Sequence, residues 1–436
     1  MSVNERKLAI LGGEPVRKKP FPPYPVIGEE EINAVNEVMK TGRLSMFAAS
    51  RGPGFLGGNK IREFEEKFAE YHKVDYAITV NSATAGLHVA LAAAGIGPGD
   101  EVIVPPYTFT STATSVLMHN AIPVFVDVDP KTYCIDPTKI EDAITSSTKA
   151  IIPVHLLGHP AEMDSIMKIA QNHHLIVVED CAQSPGAKYK GRLVGTIGNL
   201  GVFSFQESKN IMTGEGGMVI THDKKLAERC RMLRNHGEAV IEGKSRSYLS
   251  NIIGWNYRMT EIEAAIGLVQ FQKMDKFNDI RIRNSRYLSS RLSIIKGINI
   301  PHESSGILHV YHVYGMTYDE KEMGISRRNF INALNAEGIP FRVGYPHPLY
   351  ENPLFREKVA YGDKGCPFSC KYYEGRARYE TGICPVAEDL CYNSSLWLDS
   401  IRPPATSEDM QDVVNAFTKI LENIEQLREL NKSSTL

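Results

Sequence analysis

Residues 76–129 read YAITVNSATAGLHVALAAAGIGPGDEVIVPPYTFTSTATSVLMHNAIPVFVDVD. Three short β-branched runs, YAITV, EVIVPP and IPVFVDVD, are separated by helical patterns that reach about Ala94 and about His119. The rhythm continues outward. A helix is expected near Pro137–Thr145, then the run KAIIPVHL, the helix AEMDSIMKIAQNHH, the run LIVVED, and two further strands in NLGVFSF and GGMVITHD. Strands that recur roughly every 20–30 residues with helices between them predict right-handed βαβ crossovers. The runs are continuously apolar and do not alternate, as a mainly parallel sheet buried on both faces requires. The fold class expected is therefore α/β.

After Gly267 the pattern changes to long helices, RNSRYLSSRLSII and RRNFINALNAEG, with isolated strands such as HVYHVYGMTY, and predicts a smaller α+β domain. The tail from Ser407 places Met410, Val413, Val414, Phe417, Ile420, Leu421, Ile424 and Leu427 at helical spacing. On the N-terminal side the Pro- and Gly-rich stretches KPFPPYPVIG and SRGPGFLGG flank the helix EEEINAVNEVMKTG. We read an N-terminal segment 1–58 packing on both domains, a large domain 59–270, and a small domain 271–436 with an insertion at about 350–390.

The 436 residues are 42% hydrophobic and 23% charged, with 49 Lys+Arg against 51 Asp+Glu. That composition excludes disorder, collagen and coiled coil. A net charge of −2 leaves no field that would suit nucleic acid or a membrane surface, so a small-molecule partner is expected. The apolar run near the N-terminus is too short for a secretory core, and the uncharged stretches Tyr76–Gly99 and Val102–Val126 are broken by polar residues. Seven cysteines at low density then predict reduced thiols in the cytoplasm.

Three segments carry chemistry. Asn81-Ser82-Ala83-Thr84-Ala85-Gly86 runs into the helix LHVALAAAG, where free backbone N–H groups, the positive helix end and two hydroxyls suit a phosphate. Plain N-capping would use the same residues. LIVVED ends on Glu179 and Asp180 at the carboxyl edge of a central strand, where open α/β sheets bind ligands; a capping role for Asp180 is the alternative. Phe203-Ser204-Phe205-Gln206-Glu207-Ser208-Lys209-Asn210 is followed by the glycine-rich turn Gly214-Glu215-Gly216-Gly217. A lysine emerging from an apolar strand can lose its proton by partial desolvation and form a Schiff base. An ordinary loop lysine is the other reading of Lys209 taken alone.

Taken in order, the phosphate cap, Phe109 in PPYTFTSTA, Asp180 and Gln183 in EDCAQS, and SFQESK with GEGG resemble the DegT/DnrJ/EryC1/StrS family of fold-type I pyridoxal-phosphate aminotransferases. The resemblance runs from about Gly12 to Glu422 and implies a mainly parallel seven-stranded sheet sandwiched by helices. It implies pyridoxal 5′-phosphate as cofactor, with Lys209 as the Schiff-base lysine and proton shuttle and Asp180 as the partner of the pyridine nitrogen. Phe109 would stack on the ring, Gln183 would lie near its 3-hydroxyl, and Ser82, Ala83, Thr84 and Ser204 would hold the phosphate. Asn256, in NYRMTEIEAAIG, matches the position that reaches the neighbouring subunit's phosphate, which implies a homodimer with shared sites.

The reaction implied is ping-pong transfer from glutamate or glutamine to a keto sugar or keto cyclitol. Lys209 excludes the dehydratases of the family that carry His there; an aromatising aminohydroxybenzoate-synthase-like member remains open, as does a non-catalytic regulatory one. Gln206 stands where many nucleotide-sugar enzymes have His, and the segment from Cys384 (CPVAE) resembles the inosose and aminohydroxybenzoate branch, which tilts the acceptor toward a cyclic polyol ketone. Tyr345 and His347 in GYPHPLY match an acceptor-pocket loop. Arg258 and Arg342 are candidates for the donor carboxylate, and His155 either backs the cofactor or is a core histidine. In the long segment 350–390, Cys366, Cys370, Cys384 and Cys391 have the spacing C-x3-C-x13-C-x6-C, near a tetrathiolate pattern; buried apolar thiols are the alternative, and no metal is assigned.

Overall fold

The computed structural model describes residues 7–48, 53–238, 250, 252–375 and 377–433. Nine strands come first: β1 (Tyr76–Val80), β2 (Glu101–Val104), β3 (Ile122–Phe125), β4 (Thr148–Ile151), β5 (Ile176–Asp180), β6 (Lys188–Tyr189), β7 (Arg192–Leu193), β8 (Leu200–Ser204) and β9 (Gly217–Thr221). Seven form one sheet in the order β1-β9-β8-β5-β4-β2-β3. Every neighbouring pair is parallel except those of β9, which is antiparallel to β1 and β8 and so alone runs against the rest. Helices pack on the sheet because their small residues allow it. A Cβ on Gly86, in the helix Ala83–Ala94, would stand 2.7 Å from the Val202 side chain on β8.

Five more strands follow: β10 (Ile298–Asn299), β11 (Ile307–Leu308), β12 (Tyr314–Tyr318), β13 (Phe341–Arg342) and β14 (Ser395–Leu398). Four make an antiparallel sheet, β10-β12-β14-β13, over a second apolar core that includes Leu334, Phe330 and Phe417. One helix, Glu261–Leu292, joins the two bodies; Thr260 and Glu263 cap its start reciprocally. Leu268 and Phe277 of this helix belong to a core shared with β8 and β9, whereas Leu288 and Leu292 belong to the second core. The division expected at residues 270/271 thus falls inside a continuous helix.

Local expectations differ in three places. The helix expected near Pro137–Thr145 is two 3-10 turns, Pro137–Lys139 and Glu141–Ala143; Ile140 is fully buried and Ala143 and Ile144 pack partly buried on the same core, an apolar face too short to sustain a longer helix. The tail helix stops at Glu422 and a second begins at Ile424. The third difference concerns the cysteines. Cys366 and Cys370, four residues apart with Cα atoms separated by 5.3 Å, are joined as a disulfide, while Cys384 and Cys391 are free and buried. This corrects the expectation of seven reduced thiols, and the tetrathiolate spacing yields no thiolate cluster.

The insertion lies along the β2–β3 edge of the large sheet. Tyr361, Tyr373 and Tyr379 donate to Leu117 O (2.7 Å), Glu101 Oε1 (3.0 Å) and Pro123 O (2.9 Å), and Asp127 accepts from the N–H groups of Val386 and Ala387, both at 3.0 Å. It covers an edge strand that would otherwise offer unpaired backbone groups.

Candidate active site

The predicted residues converge on the carboxyl edge of the seven-stranded sheet. There β1 ends at Val80, β5 at Asp180 and β8 at Ser204, and the reversed β9 begins at Gly217. The register sets Val80 and Ser204 on either side of Gly217. A Cβ at residue 217 would fall 2.7 Å from Ser82 C and 2.8 Å from Ala83 N, so only glycine lets the cap close onto the strand. Ser204 is thereby placed beside Ser82, Ala83 and Thr84.

Ser82 caps the helix Ala83–Ala94 by accepting from Ala85 N at 3.1 Å, and Ser82 O accepts from Gly86 N at 2.9 Å. The N–H groups of Ala83 and Thr84 are the orphan donors of this helix start. Asn81 Oδ1, one residue earlier, is buried without a partner. N-capping and anion binding are thus compatible here: the Ser82 hydroxyl oxygen serves the helix and leaves two backbone donors free. Gly217→Ala is expected to push the cap off the strand, lowering affinity for pyridoxal phosphate by about 1–3 kcal/mol. A fluorescence titration of apoprotein checks this; unchanged affinity would show that the close approach is unimportant.

Asp180 is 4% exposed. Its carboxylate accepts from Thr112 Oγ1 at 2.9 Å and from Ala182 N at 3.1 Å. Burial pushes its pKa up, against those two hydrogen bonds and the charge of Lys209. Adjacent Glu179 points to the opposite side of the strand, where the N–H groups of Gly195, Ile197 and Gly198 donate to it at 2.6–2.8 Å. His155 Nδ1 accepts from Ala161 N, and its Nε2–H donates to Glu179, both at 2.9 Å. His155 is therefore a satisfied core histidine, one of the two readings offered by the sequence.

Lys209 sits in the turn after β8, its N–H donating to Gln206 O at 2.8 Å and its carbonyl accepting from the Tyr24 hydroxyl. The turn folds back through Phe205 N to Gly216 O at 2.9 Å, with Gly216 at φ +148. Burial pushes the ammonium pKa down, and the charge of Asp180 pulls it back up. Gln206 accepts from both the N–H and the hydroxyl of Ser208, at 2.9 and 2.6 Å.

Gln183 accepts from Leu157 N at 2.7 Å and donates to the Tyr345 hydroxyl at 3.2 Å, which links the large domain to the GYPHPLY loop. Tyr345 packs edge-on against Tyr107 and Trp397. Phe109 is 58% exposed, its ring free, and its carbonyl accepts from Thr112 N at 3.2 Å. Asn256 is exposed and Arg258 half-buried; Arg258 donates to the side-chain oxygens of Asn256 and Asn235 at 2.9 and 3.1 Å. Arg342 is paired in a two-pronged contact with Asp399 at 2.7 and 3.1 Å. His347 pairs with Asn352 Oδ1 at 3.1 Å, and among the described residues no hydrogen bond ties it to the others.

Two residues of this site were not singled out from the sequence. Thr112 stood within the quoted TFTSTA and is recognisable only once the fold sets it on Asp180. Tyr24 carries no local signal; 185 residues separate it from Lys209.

These groups fit a phosphorylated pyridine aldehyde. A buried carboxylate has only neutral hydrogen-bond donors, so a pyridinium N–H would supply the missing charge. The half-buried Lys209 lies within electrostatic reach of it, and orphan amides suited to phosphate lie at the same sheet edge. The fold and site define a fold-type I pyridoxal-phosphate enzyme. Its bound cofactor supplies an electron sink for charge developing on a substrate carbon.

The chain belongs to the DegT/DnrJ/EryC1/StrS aminotransferase family, whose model matches residues 25–375. It is 34% identical to an L-glutamine:2-deoxy-scyllo-inosose aminotransferase of Streptomyces kanamyceticus, over 97% of this chain and 99% of that one. It is 41% identical to a GDP-perosamine synthase of Escherichia coli O157:H7, over 69% of this chain and 80% of that one. An aminotransferase structure from Psychrobacter cryohalolentis superposes with a TM-score of 0.81 at 33% identity, covering 93% of this chain and all of that one. The chain is a pyridoxal-phosphate-dependent aminotransferase. Among the described residues no helix is long and apolar enough to cross a membrane.

Proposed function

We propose that the enzyme moves an amino group from glutamine or glutamate to the ketone of a cyclic polyol, working as a cytoplasmic homodimer. The observation that carries the reading is that Lys209 and buried Asp180 lie within electrostatic reach of each other at one sheet edge, with the Ser82–Thr84 cap at the same edge. In this reading Lys209 carries the proton at the reacting carbon. Asp180 holds the proton of the pyridine nitrogen, positioned by Thr112. Ser82, Ala83, Thr84 and Ser204 hold the phosphate, with Asn256 reaching across to the phosphate of the partner's site. Phe109 covers one ring face and Gln183 lies near the 3-hydroxyl. Tyr345 and His347 face the acceptor. Segments 1–58, 59–270 and 271–436 serve as the N-terminal strap, the cofactor domain and the small domain, the long helix joining the last two.

Two features favour a cyclic polyol over a nucleotide-linked sugar: the CPVAE segment from Cys384, and the 34% identity along nearly the full chain to the inosose aminotransferase. The test supplies holoenzyme with L-glutamine or L-glutamate and either 2-deoxy-scyllo-inosose or a nucleotide-linked keto-deoxysugar, and detects amino product by mass spectrometry. Aminated cyclitol is expected. Amination of the nucleotide sugar alone would reverse the acceptor assignment.

A further inference from the structure

Lys209 is tied to the protein by its main chain, and the residue after it is tied more firmly still. Asn210 is fully buried. Its Nδ2 donates to Asn278 Oδ1 at 2.9 Å and to Val310 O at 3.3 Å, and its Oδ1 faces His312 Nδ1 at 3.2 Å. Asn278, on the helix Glu261–Leu292, is buried as well and donates from its own Nδ2 to Pro185 O at 2.8 Å. The carbonyls of Val310 and Pro185 can only accept, so both amides have a single orientation and His312 donates from Nδ1. Burial, then the charges of Lys209, Arg281, Arg402 and Arg342, hold the His312 imidazole well below the usual range, so the ring is neutral and this N–H is the one it has.

The brace continues to the other side of the site. His312 N donates to Leu157 O at 2.7 Å, and Leu157 N donates to Gln183 Oε1, also at 2.7 Å. Leu157 stands at φ +54, a conformation that is unfavourable for a bulky residue and persists only where the surroundings impose it; such positions cluster at functional sites. A continuous run of hydrogen bonds through His312 and Leu157 thus joins Asn210 to Gln183. The Lys209 carbonyl is fixed separately by the Tyr24 hydroxyl. The joining helix, the chain entering β12 and the N-terminal segment therefore converge on one dipeptide.

We infer that Asn210 is a positioning residue: held by Asn278, Val310 and His312, it fixes the direction in which the Lys209 side chain leaves the backbone. This rests on the proposed role of Lys209 as the lysine that binds the cofactor and carries the proton. A lysine side chain has many rotamers, so its amine stays on a reacting carbon only if the main chain from which it springs is immobile. Donor binding does not involve Asn210, so its loss should appear in the rate of transfer and not in donor affinity.

The test compares reconstituted holoenzyme of wild type, Asn210→Ala and Asn278→Ala. In Asn210→Ala the visible band of the lysine-bound cofactor should persist, with its pH midpoint moved by at least about half a unit because the amine has a changed environment. In single-turnover reaction with whichever of L-glutamine and L-glutamate discharges wild type, the limiting rate should fall at least about tenfold while the half-saturating donor concentration stays within about threefold. Asn278→Ala should show the same pattern more weakly, since Val310 and His312 still hold Asn210. A wild-type midpoint and limiting rate in Asn210→Ala overturn the inference whatever the melting temperature, because the amide then serves stability alone. A raised half-saturating concentration at an unchanged limiting rate also overturns it, in favour of a donor contact. If Asn210→Ala does not fold, Asn278→Ala decides by the same readouts. A wild type without the lysine-bound band sinks the reading of Lys209 and this inference with it, whereas a normal wild-type band with unchanged variants sinks the inference alone.

Discussion

Lys209→Ala is expected to lower amino transfer by at least about 10⁴-fold, combining loss of covalent catalysis with loss of the proton carrier, a step that alone contributes roughly 10²–10⁴. The fold should be untouched. The hydrogen bonds found at Lys209 are made by its backbone, from its N–H to Gln206 and from the Tyr24 hydroxyl to its carbonyl, and truncation beyond Cβ leaves both in place. Thermal unfolding of the variant should match wild type, and the visible absorption band of the lysine-bound cofactor should be missing. A primary amine such as ethylamine, supplied in solution, should restore part of the rate by replacing the proton carrier. If the variant turns over within tenfold of wild type, another base performs the transfer and the assignment of Lys209 is wrong.

Asp180→Asn carries the second large effect and separates activity from stability. An amide cannot hold a proton on the pyridine nitrogen, so the limiting rate should fall by about 10²–10³-fold, the usual cost of removing one preorganised electrostatic partner. The apoprotein should respond in the opposite sense. Burial raises the folded-state pKa of Asp180 above its unfolded value, so the folded chain binds that proton more tightly than the unfolded chain. The resulting destabilisation is absent at pH below the unfolded value of about 4 and grows as pH rises through the folded pKa. The amide escapes this cost, so apo Asp180→Asn should be the more stable protein at neutral pH, and the difference should vanish in acid. Denaturant unfolding of both apoproteins at neutral and acid pH measures it. An apo variant less stable than wild type at neutral pH would mean that the hydrogen bonds from Thr112 and Ala182 outweigh the charge.

Much of the site was legible because its chemistry is carried by short runs. The apolar strands ending in Asp180 and Ser204, and the small residues from Ser82 to Gly86, announce a sheet edge with a helix start beside it. Lys209 stands out because a glycine-rich turn follows it. The segment Pro137–Thr145 was misread because local propensity cannot show that its contact with the core is limited to Ile140, Ala143 and Ile144 and is made by 3-10 turns. The two arginines offered as candidates for the donor carboxylate, Arg258 and Arg342, are engaged by Asn256, Asn235 and Asp399, and nothing local announces the last two partners, 23 and 57 residues away.

The sequence by itself determined the α/β class, the order of the strands in the large domain, and the family, and it singled out Lys209 and Asp180 as the candidates for cofactor lysine and carboxylate. Those properties depend on hydrophobic periodicity and on residue types within a few positions of one another. Tertiary structure alone decided that Thr112 anchors Asp180, that Tyr24 reaches Lys209 from the N-terminal segment, and that Asn278 and His312 meet on Asn210. It also joined Cys366 to Cys370 and laid the insertion along the β3 edge. These are contacts between side chains distant in sequence, or pairings selected among several cysteines, and packing has to choose them.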